Sequence, residues 1–378
     1  MNQASHPDLP GKYIVISILL IASLLIGLGS YAMSQRHQEQ IFHYMVEAGA
    51  TEGYDAIYDF NKNYLMDAQG QPVLHFTALG GTPESEWGGG SQATLLSEYH
   101  PLPAGIHVRW FSVAENKFYE GEYLFDREQL NRLMSYQVRD LFWRDTSAFN
   151  HFFSFDVNLV LGGLATVWIS SAGERYLLAQ FYVSEVQDND WEGFIQIHRR
   201  RSPPSREEFV ESIFADPDSL MSTKTKQEIA EGRLPVDGAP WKRLMQKFPW
   251  KLVGDENFTM QDYFAFYMNG EQYFTYTDPA KGFIQDRTVQ PVPYRFSFYM
   301  ADNTPEKKLH RINMYLKKDE LLQQFEAMNK IEPANNPFEL QVVVQPDFKK
   351  IFVYLVKGEH RIKLEMERAA LTDLYSNQ

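Results

Sequence analysis

The sequence contains no cysteine among its 378 residues. Disulfides, thiolate nucleophiles and cysteine-ligated metal sites are therefore excluded. The same absence excludes the lipid anchor of a bacterial lipoprotein, because that lipid is attached to a cysteine directly after the signal sequence. The stability of the folded chain has to come from ordinary hydrophobic burial.

The common catalytic and cofactor-binding motifs are also missing. No G-x-S-x-G, G-x-G-x-x-G or G-x-x-x-x-G-K segment occurs, and no two histidines stand at H-x-H or H-x-x-x-H spacing. His107 and His151 lie in strand-rich segments, where we interpret them as hydrogen-bonded structural residues rather than ligands. We predict no catalytic residue, no cofactor and no metal. A carboxylate pair for glycoside hydrolysis stays open, because residues that are close in space are not visible in one sequence.

One long run, Tyr13 to Met33, contains no charged residue. As a helix it spans the hydrocarbon core of a bilayer, which is about 30 Å thick. We predict a single-pass anchor in the inner membrane of a Gram-negative bacterium, with the bulk of the chain in the periplasm. The alternative is a signal peptide cleaved after Ala32, since Ser30 and Ala32 have the spacing that signal peptidase accepts. Both interpretations export the rest of the chain.

The remainder has the composition of packed globular domains, with 44% hydrophobic, 15% aromatic and 22% charged residues. Its length predicts two domains rather than one. We divide the chain into an anchor or signal at 1–33, a first α+β domain at 34–198, a linker with helices at 199–240 and a second α+β domain at 241–378. Within the linker, Ser205 followed by two glutamates predicts a helix N-terminus.

Negative charge is concentrated in the first part of the chain. The formal net charge is -13, and most of the acidic excess precedes residue 241. Such a surface repels nucleic acid and anionic lipid headgroups. It suits a basic protein partner, although solubility alone also explains it. We predict a protein partner and no nucleic acid.

An internal repeat organises the chain. Pro101, Tyr123, Leu124 and Leu130 recur at a constant spacing as Pro293, Tyr315, Leu316 and Leu322. A helix is predicted from Asp126 and another from Lys318, each followed by a strand hairpin whose turn contains Gly173 or Gly358. The pattern predicts two related α+β domains of antiparallel sheet with a few helices, preceded by one N-terminal transmembrane helix.

Two loops have the composition of interaction surfaces. The segment GGTPESEWGGGS presents Glu84, Glu86 and Trp87, and the segment EVQDNDWEG presents Asp188, Asp190 and Trp191. Tryptophan is enriched at binding hot spots, and an acidic rim steers a basic partner. We predict that these six residues bind a partner protein. The alternative is that each tryptophan folds back onto its own domain.

Two segments carry a resemblance to a known family. LPAGIHVRWFSVAENKFYEGEY, with Trp110 to Ser112, and VLGGLATVWISSAGERYLLAQFYV, with Gly162 to Trp168, resemble the bacterial envelope family of domain of unknown function 2931. The resemblance covers about 40–197 and is faint in 241–370. This chain departs from the family's lipoprotein pattern in lacking the anchoring cysteine. The resemblance implies export and provides no catalytic residues.

The resemblance also suggests a function by analogy, since members are similar in size and export to immunity proteins that accompany lipase effectors of type VI secretion. We therefore expect a non-enzymatic periplasmic binding protein that neutralises such an effector. One alternative is an envelope accessory or ligand-sensing protein that binds a cell-wall or secretion component. The other is an envelope hydrolase.

Overall fold

The computed structural model describes residues 41–50, 56–58, 62–76, 87, 92–93, 98–136, 152–171, 173–187, 191–196, 204–219, 221–235, 238–255, 258–276, 283–284, 286–302, 309–333, 336–345 and 350–373. The expected anchor, Tyr13 to Met33, lies outside these residues. Within them, no helix has both the length and the apolar character needed to cross a membrane. From Phe42 onward the chain forms one compact unit.

The first half of the chain contains a six-stranded sheet, which we call the front sheet. Its strands are β2 (Ala56–Tyr58), β3 (Tyr64–Met66), β4 (Pro72–His75), β7 (Gly105–Ser112), β8 (Lys117–Leu124) and β12 (Ser184–Val186). Their order is β12-β8-β7-β3-β4, and β2 pairs with β7. Helix α1 (Arg127–Ser135) follows β8 in the sequence and begins at Asp126, whose carboxylate accepts hydrogen bonds from the first-turn backbone N–H groups.

The second layer of this half has four main strands. They are β1 (Ile41–Ala50), β9 (Phe152–Leu159), β10 (Leu164–Ser171) and β11 (Glu174–Tyr182). They lie in the order β1-β9-β10-β11, and the short strands β5 (Gln92–Ala93) and β6 (Glu98–Pro101) attach to β1. The β1–β9 pair is parallel, and the two pairs that follow it are antiparallel.

The second half builds the same two kinds of layer. One contains β15 (Phe258–Tyr267), β16 (Gln272–Thr275), β18 (Pro293–Asp302), β19 (Leu309–Leu316) and β23 (Met366–Asp373). The other contains β14 (Trp250–Gly254), β20 (Phe338–Val344), β21 (Ile351–Lys357) and β22 (His360–Leu364). The short strands β13 (Lys247–Phe248) and β17 (Gln290–Pro291) pair with each other. The helix after β19, Lys318–Asn329, is α6, because four helices between the halves, given below, precede it.

The order of elements in the two halves matches. The order β12-β8-β7-β3-β4 corresponds to β23-β19-β18-β15-β16, and the order β1-β9-β10-β11 corresponds to β14-β20-β21-β22. The parallel pair β1–β9 has its counterpart in the parallel pair β14–β20. Helices α1 and α6 hold equivalent places in this order. The internal similarity in the sequence thus has a counterpart in the topology of the sheets.

The two halves share one sheet. Strand β11 of the first half pairs with β16 of the second half, with Arg175 opposite Gln272. This joint merges the four main strands of the first half, the short strands β5 and β6, and the five-strand layer of the second half into an eleven-stranded sheet. The fold is therefore α+β, with mostly antiparallel sheet and few helices, as the sequence predicts. The division into separate domains stays a prediction.

The main hydrophobic core of the described residues runs through both halves. It includes Val108 and Trp110 of the front sheet, Val167 of β10, and Phe296 and Leu340 of the second half. Trp110 and Trp168 are 1% and 0% exposed, so both side chains lie in the interior. Trp168 lies on the face of β10 opposite Val167, because neighbouring strand residues alternate.

Four helices lie in the chain between the halves: α2 (Trp191–Gln196), α3 (Arg206–Ala215), α4 (Thr223–Ala230) and α5 (Ala239–Leu244). Helix α3 starts with the predicted cap, since the Ser205 hydroxyl accepts from the Glu208 N–H and the Glu208 carboxylate accepts from the Ser205 N–H. Phe194, Phe209 and Trp241 of these helices form a second hydrophobic cluster with Phe111 and Phe118 of the front sheet. The helices therefore cover part of one sheet face.

Backbone conformation and close packing explain why glycine occupies positions 162 and 163. Both residues have positive φ, 70° and 75°, in the short 3-10 turn before β10. A Cβ on Gly163 would lie 2.4 Å from the Val183 carbonyl oxygen and 2.9 Å from the Tyr119 ring. Glycine is needed here for the backbone conformation and for the close approach of the crossing chain.

Candidate functional site on the outer face of the front sheet

Four of the six predicted partner-binding residues lie outside the described part of the chain. They are Glu84, Glu86, Asp188 and Asp190. The two tryptophans, Trp87 and Trp191, are both described, and both are half-buried. Each packs against the second hydrophobic cluster.

Trp191 is held by its own protein on several sides. Its ring centroid lies 5.2 Å from that of Phe111 and 5.6 Å from that of Phe209. Its Nε1–H donates a 2.9 Å hydrogen bond to the carbonyl oxygen of Pro204. The geometry matches the alternative in which the tryptophan folds back, and only part of the ring remains exposed.

Trp87 also faces inward. It makes an edge-on contact with Trp168, with centroids 5.2 Å apart, and a wider contact with Trp241 at 6.5 Å. Its Nε1–H is buried and has no hydrogen-bond acceptor among the described residues. The ring is therefore fixed, but its polar edge is not satisfied.

The front sheet carries a charged cluster centred on Glu120. In β7 the side chains of Ile106, Val108 and Trp110 enter the main core, so His107 and Arg109 point to the other face. This outer face, away from the main core, also carries Glu120 of β8. We call the cluster formed by Lys62, Tyr64, His75, His107, Arg109, Glu120 and Glu122 the outer-face cluster.

Three cationic or protonatable groups approach the Glu120 carboxylate. The Lys62 Nζ lies 3.3 Å from Oε1, the His107 Nε2 lies 3.6 Å from Oε1 and the Arg109 Nε lies 3.2 Å from Oε2. Arg109 is almost buried, whereas the Glu120 side chain is 25% exposed. The carboxylate is held in place but is still open to solvent on one side.

Aromatic rings stack beside this carboxylate. Tyr64 and His107 are parallel, with centroids 4.9 Å apart and an interplanar angle of 7°. The His107 Nδ1 lies 2.7 Å from the carbonyl oxygen of Lys62, which confirms the prediction of a hydrogen-bonded histidine. His75 meets the edge of Tyr64 at 5.4 Å. The sheet thus holds a half-buried tyrosine and histidine and an exposed histidine next to one another.

The outer-face cluster continues towards Trp191. The Arg109 guanidinium lies 5.4 Å from the centre of the Phe118 ring, and the Phe118 ring lies 6.2 Å from that of Trp191. The linker helices cover the Phe111 and Phe118 end of this face. Sequence reasoning missed the cluster, although the alternation in GIHVRW puts His107 and Arg109 on the side opposite the apolar residues.

A second polar group is buried at the joint between the halves. Asp156 binds Arg175 through a 2.9 Å ion pair. Glu174, 1% exposed, accepts a 2.9 Å hydrogen bond from the Phe274 N–H and a 3.0 Å hydrogen bond from the Tyr176 hydroxyl. Burial raises the pKa of Glu174 to about 7. The hydrogen bond from Phe274 to Glu174 crosses the joint, so we assign it to holding the halves together. The Asp156–Arg175 pair and the Tyr176–Glu174 bond lie within the first half.

The described residues contain no group of three or more histidine, aspartate and glutamate side chains arranged to hold a metal ion. In the outer-face cluster, each carboxylate oxygen of Glu120 instead faces a cation of the protein itself. Such an arrangement holds fixed charges and aromatic rings side by side on the sheet.

Comparison with known proteins adds one finding. A family model described as a protein of unknown function, DUF2931, matches residues 32–237. No curated protein and no solved structure matches the chain. The match covers more than half of the sequence and contains the front sheet, helices α1 to α4 and the outer-face cluster. The chain therefore belongs to the DUF2931 family.

Proposed function

We propose that this chain is a non-enzymatic envelope protein that acts by binding another protein, and that it is an immunity protein which neutralises a lipase-like effector of type VI secretion. The outer-face cluster is the observation that supports a binding function. It combines a tyrosine, an arginine and fixed charges on a rigid sheet, which is the composition of binding hot spots. Inhibition by occlusion needs such an anchor and no chemistry of its own.

The two tryptophans support the same surface. Trp191 lies at the covered end of the outer face, next to Phe118. Trp87 packs against the second hydrophobic cluster, which covers that end of the face, and its indole N–H is buried. The acidic residues Glu84, Glu86, Asp188 and Asp190 would act chiefly by steering a basic effector, so we expect their neutralisation to slow association.

The proposed location is the periplasmic side of the inner membrane, with Tyr13 to Met33 as anchor. A reporter fused after Gln378 should be active only outside the cytoplasm, and the full-length chain should stay in the membrane fraction. A mature N-terminus at Met33 would instead show cleavage after Ala32. A reporter that is active in the cytoplasm would contradict both versions.

The test of binding is co-expression with a candidate effector directed to the periplasm, together with a measured affinity. Glu122 is exposed and pairs with His107 across the strands. We expect Glu122→Lys to weaken binding about tenfold, and Tyr64→Ala to weaken it by about 2 kcal/mol or more. Glu367→Lys is the matched control, because it makes the same charge change at an exposed position on β23.

Substitution of either tryptophan affects folding as well as binding, because both rings pack against the protein itself. We therefore expect Trp191→Ala to lower the free energy of unfolding as well as the affinity, and Trp191→Phe to separate the two effects. Cells that die equally with and without this protein would end the immunity proposal. If Glu122→Lys and Glu367→Lys bind the effector with equal affinity, the outer-face cluster is not the binding surface.

One observation favours the second candidate function, an envelope accessory or ligand-sensing protein. The second half contains a cavity lined by a buried lysine. A protein that only occludes an effector has no need of such a site.

A further inference from the structure

A cavity of about 340 Å³ lies in the second half, between the segment that follows α6 and the turn that joins β21 to β22. It is lined by Glu332, Pro333, Asn336, Pro337, Lys357, Gly358, Glu359 and His360. The two prolines form apolar walls. The remaining side chains carry both signs of charge.

Lys357 is the unusual residue of this cavity. Strand β21 alternates, with Ile351, Val353 and Leu355 pointing into the core, and Lys357 continues that inward row. The residue is 6% exposed. Its Nζ is buried and has no hydrogen-bond partner among the described residues. A row of apolar side chains therefore ends in an ammonium group without a hydrogen-bond partner among the described residues.

An ammonium group that is buried without a partner is costly, because it loses its hydration and gains no hydrogen bond in return. A bound anion removes that cost. The other charges of the lining select which anion fits. Glu332 and Glu359 bring negative charge to the same cavity, so a doubly charged phosphate is repelled more strongly than a singly charged group.

We propose that this cavity binds the carboxylate of a small monocarboxylate or of a peptide C-terminus, with Lys357 as its counter-ion. The ammonium contacts the carboxylate oxygens through charge-assisted hydrogen bonds. The Asn336 amide and the His360 ring provide further polar groups at the wall, and the prolines accept the apolar part of the ligand. The site is independent of the immunity proposal.

Comparison of the two halves shows why the site belongs to the second half alone. The turn segments SAGER and VKGEH match at Gly173 and Gly358, so Glu359 corresponds to Glu174 and Lys357 corresponds to an alanine. In the first half, this turn is covered by β16, and Glu174 accepts a hydrogen bond from Phe274. In the second half, Glu359 and His360 are exposed. The turn at Gly358 is therefore open at the position where β16 covers the turn at Gly173.

The test is an NMR titration of the purified full chain that carries ¹³C-labelled lysine, in which the Lys357 side-chain resonance has been assigned with Lys357→Met. The probes are sodium propionate, N-acetyl-alanylalanine, its C-terminal amide and sodium phosphate. We expect propionate and the free peptide to shift the Lys357 resonance, and the amide and phosphate to leave it unchanged. A tighter response to the peptide identifies a peptide terminus, and an equal response identifies a free carboxylate.

Two variants make the result decisive. Lys357→Met should weaken propionate binding by about tenfold or more, as measured by calorimetry. Glu359→Gln removes a repulsive charge at the exposed side of the cavity and should strengthen binding severalfold. If Lys357→Met does not fold, Lys357→Arg takes its place in the assignment, because it removes the lysine resonance and keeps the positive charge. The response of the unaltered chain to the four probes then tests the proposal. A Lys357 resonance that ignores both carboxylates, or that responds equally to the amide or to phosphate, would overturn the proposal.

Discussion

Replacement of Glu174 by glutamine should change how the stability of this protein depends on pH. The carboxyl is 1% exposed at the joint between the halves, and it accepts hydrogen bonds from the Phe274 N–H and the Tyr176 hydroxyl. Burial is the largest cause of its raised pKa, and the two hydrogen bonds oppose that effect without cancelling it. Glutamine keeps the shape and an acceptor for Phe274 but does not titrate.

The size of the effect follows from the difference between the folded and unfolded pKa. A change from 4.5 in the unfolded chain to about 7 in the folded chain corresponds to about 3 kcal/mol. Below pH 4.5 both states are protonated, and the carboxyl makes no pH-dependent contribution. Between pH 4.5 and 7 the folded state keeps a proton that the unfolded state loses, so the free energy of unfolding falls as pH rises. Above pH 7 the loss is complete and constant.

The measurement is urea unfolding of the wild type and of Glu174→Gln at several pH values on both sides of this window. The difference in free energy of unfolding between the two proteins isolates Glu174, because groups such as Asp156 are common to both. We expect the wild type to lose about 3 kcal/mol relative to Glu174→Gln across the window. Glu174→Ala should also lack the pH dependence but should be less stable than Glu174→Gln at every pH, because the Phe274 N–H loses its acceptor.

A difference between wild type and Glu174→Gln that stays constant with pH would refute the reasoning. It would mean that the carboxyl titrates alike in the folded and unfolded chain. The joint would then be open to water at this position.

Two further predictions concern packing. Trp168→Ala should lower the free energy of unfolding by about 3–5 kcal/mol, because the ring is fully buried and its Nε1–H donates to the Asn269 carbonyl; Trp168→Phe should cost less, and equal losses in urea unfolding would show that the ring volume is unimportant. Gly163→Ala should cost about 1–2 kcal/mol for its positive φ and about 1–3 kcal/mol more for the approach of Val183. Gly70→Ala, with a φ of +75° and nothing within 4 Å of the added Cβ, should cost the first part alone, so equal losses for the two variants would contradict the steric explanation.

Local sequence patterns predict helix starts and turns correctly where neighbouring residues along the chain decide the structure. The Asp126 and Ser205 caps are satisfied within their own helices, and the hairpin turns at Gly173 and Gly358 follow from residues a few positions apart. The helix from Lys318 appears as predicted, and the similarity of the halves was visible because both copies keep the same local pattern.

The outer-face cluster could be found only in part. Alternation in β7 separates His107 and Arg109 from the core residues, and this signal is present in the sequence. The convergence of Lys62, His107 and Arg109 on Glu120 depends on how β7 and β8 pair, which long-range packing sets. The inward packing of Trp87 and Trp191 likewise depends on distant aromatic residues.

The sequence by itself determined the family, the mostly antiparallel α+β class and the repeat, because these depend on the residue pattern along the chain. The tertiary structure alone decided that β11 of one half pairs with β16 of the other, that Glu174 lies buried at this joint, and that Lys357 lines an open cavity at the matching turn. The two turns have similar local sequences, SAGER and VKGEH. Their environments differ because the second half covers the first turn, and the described residues place no equivalent strand over the second.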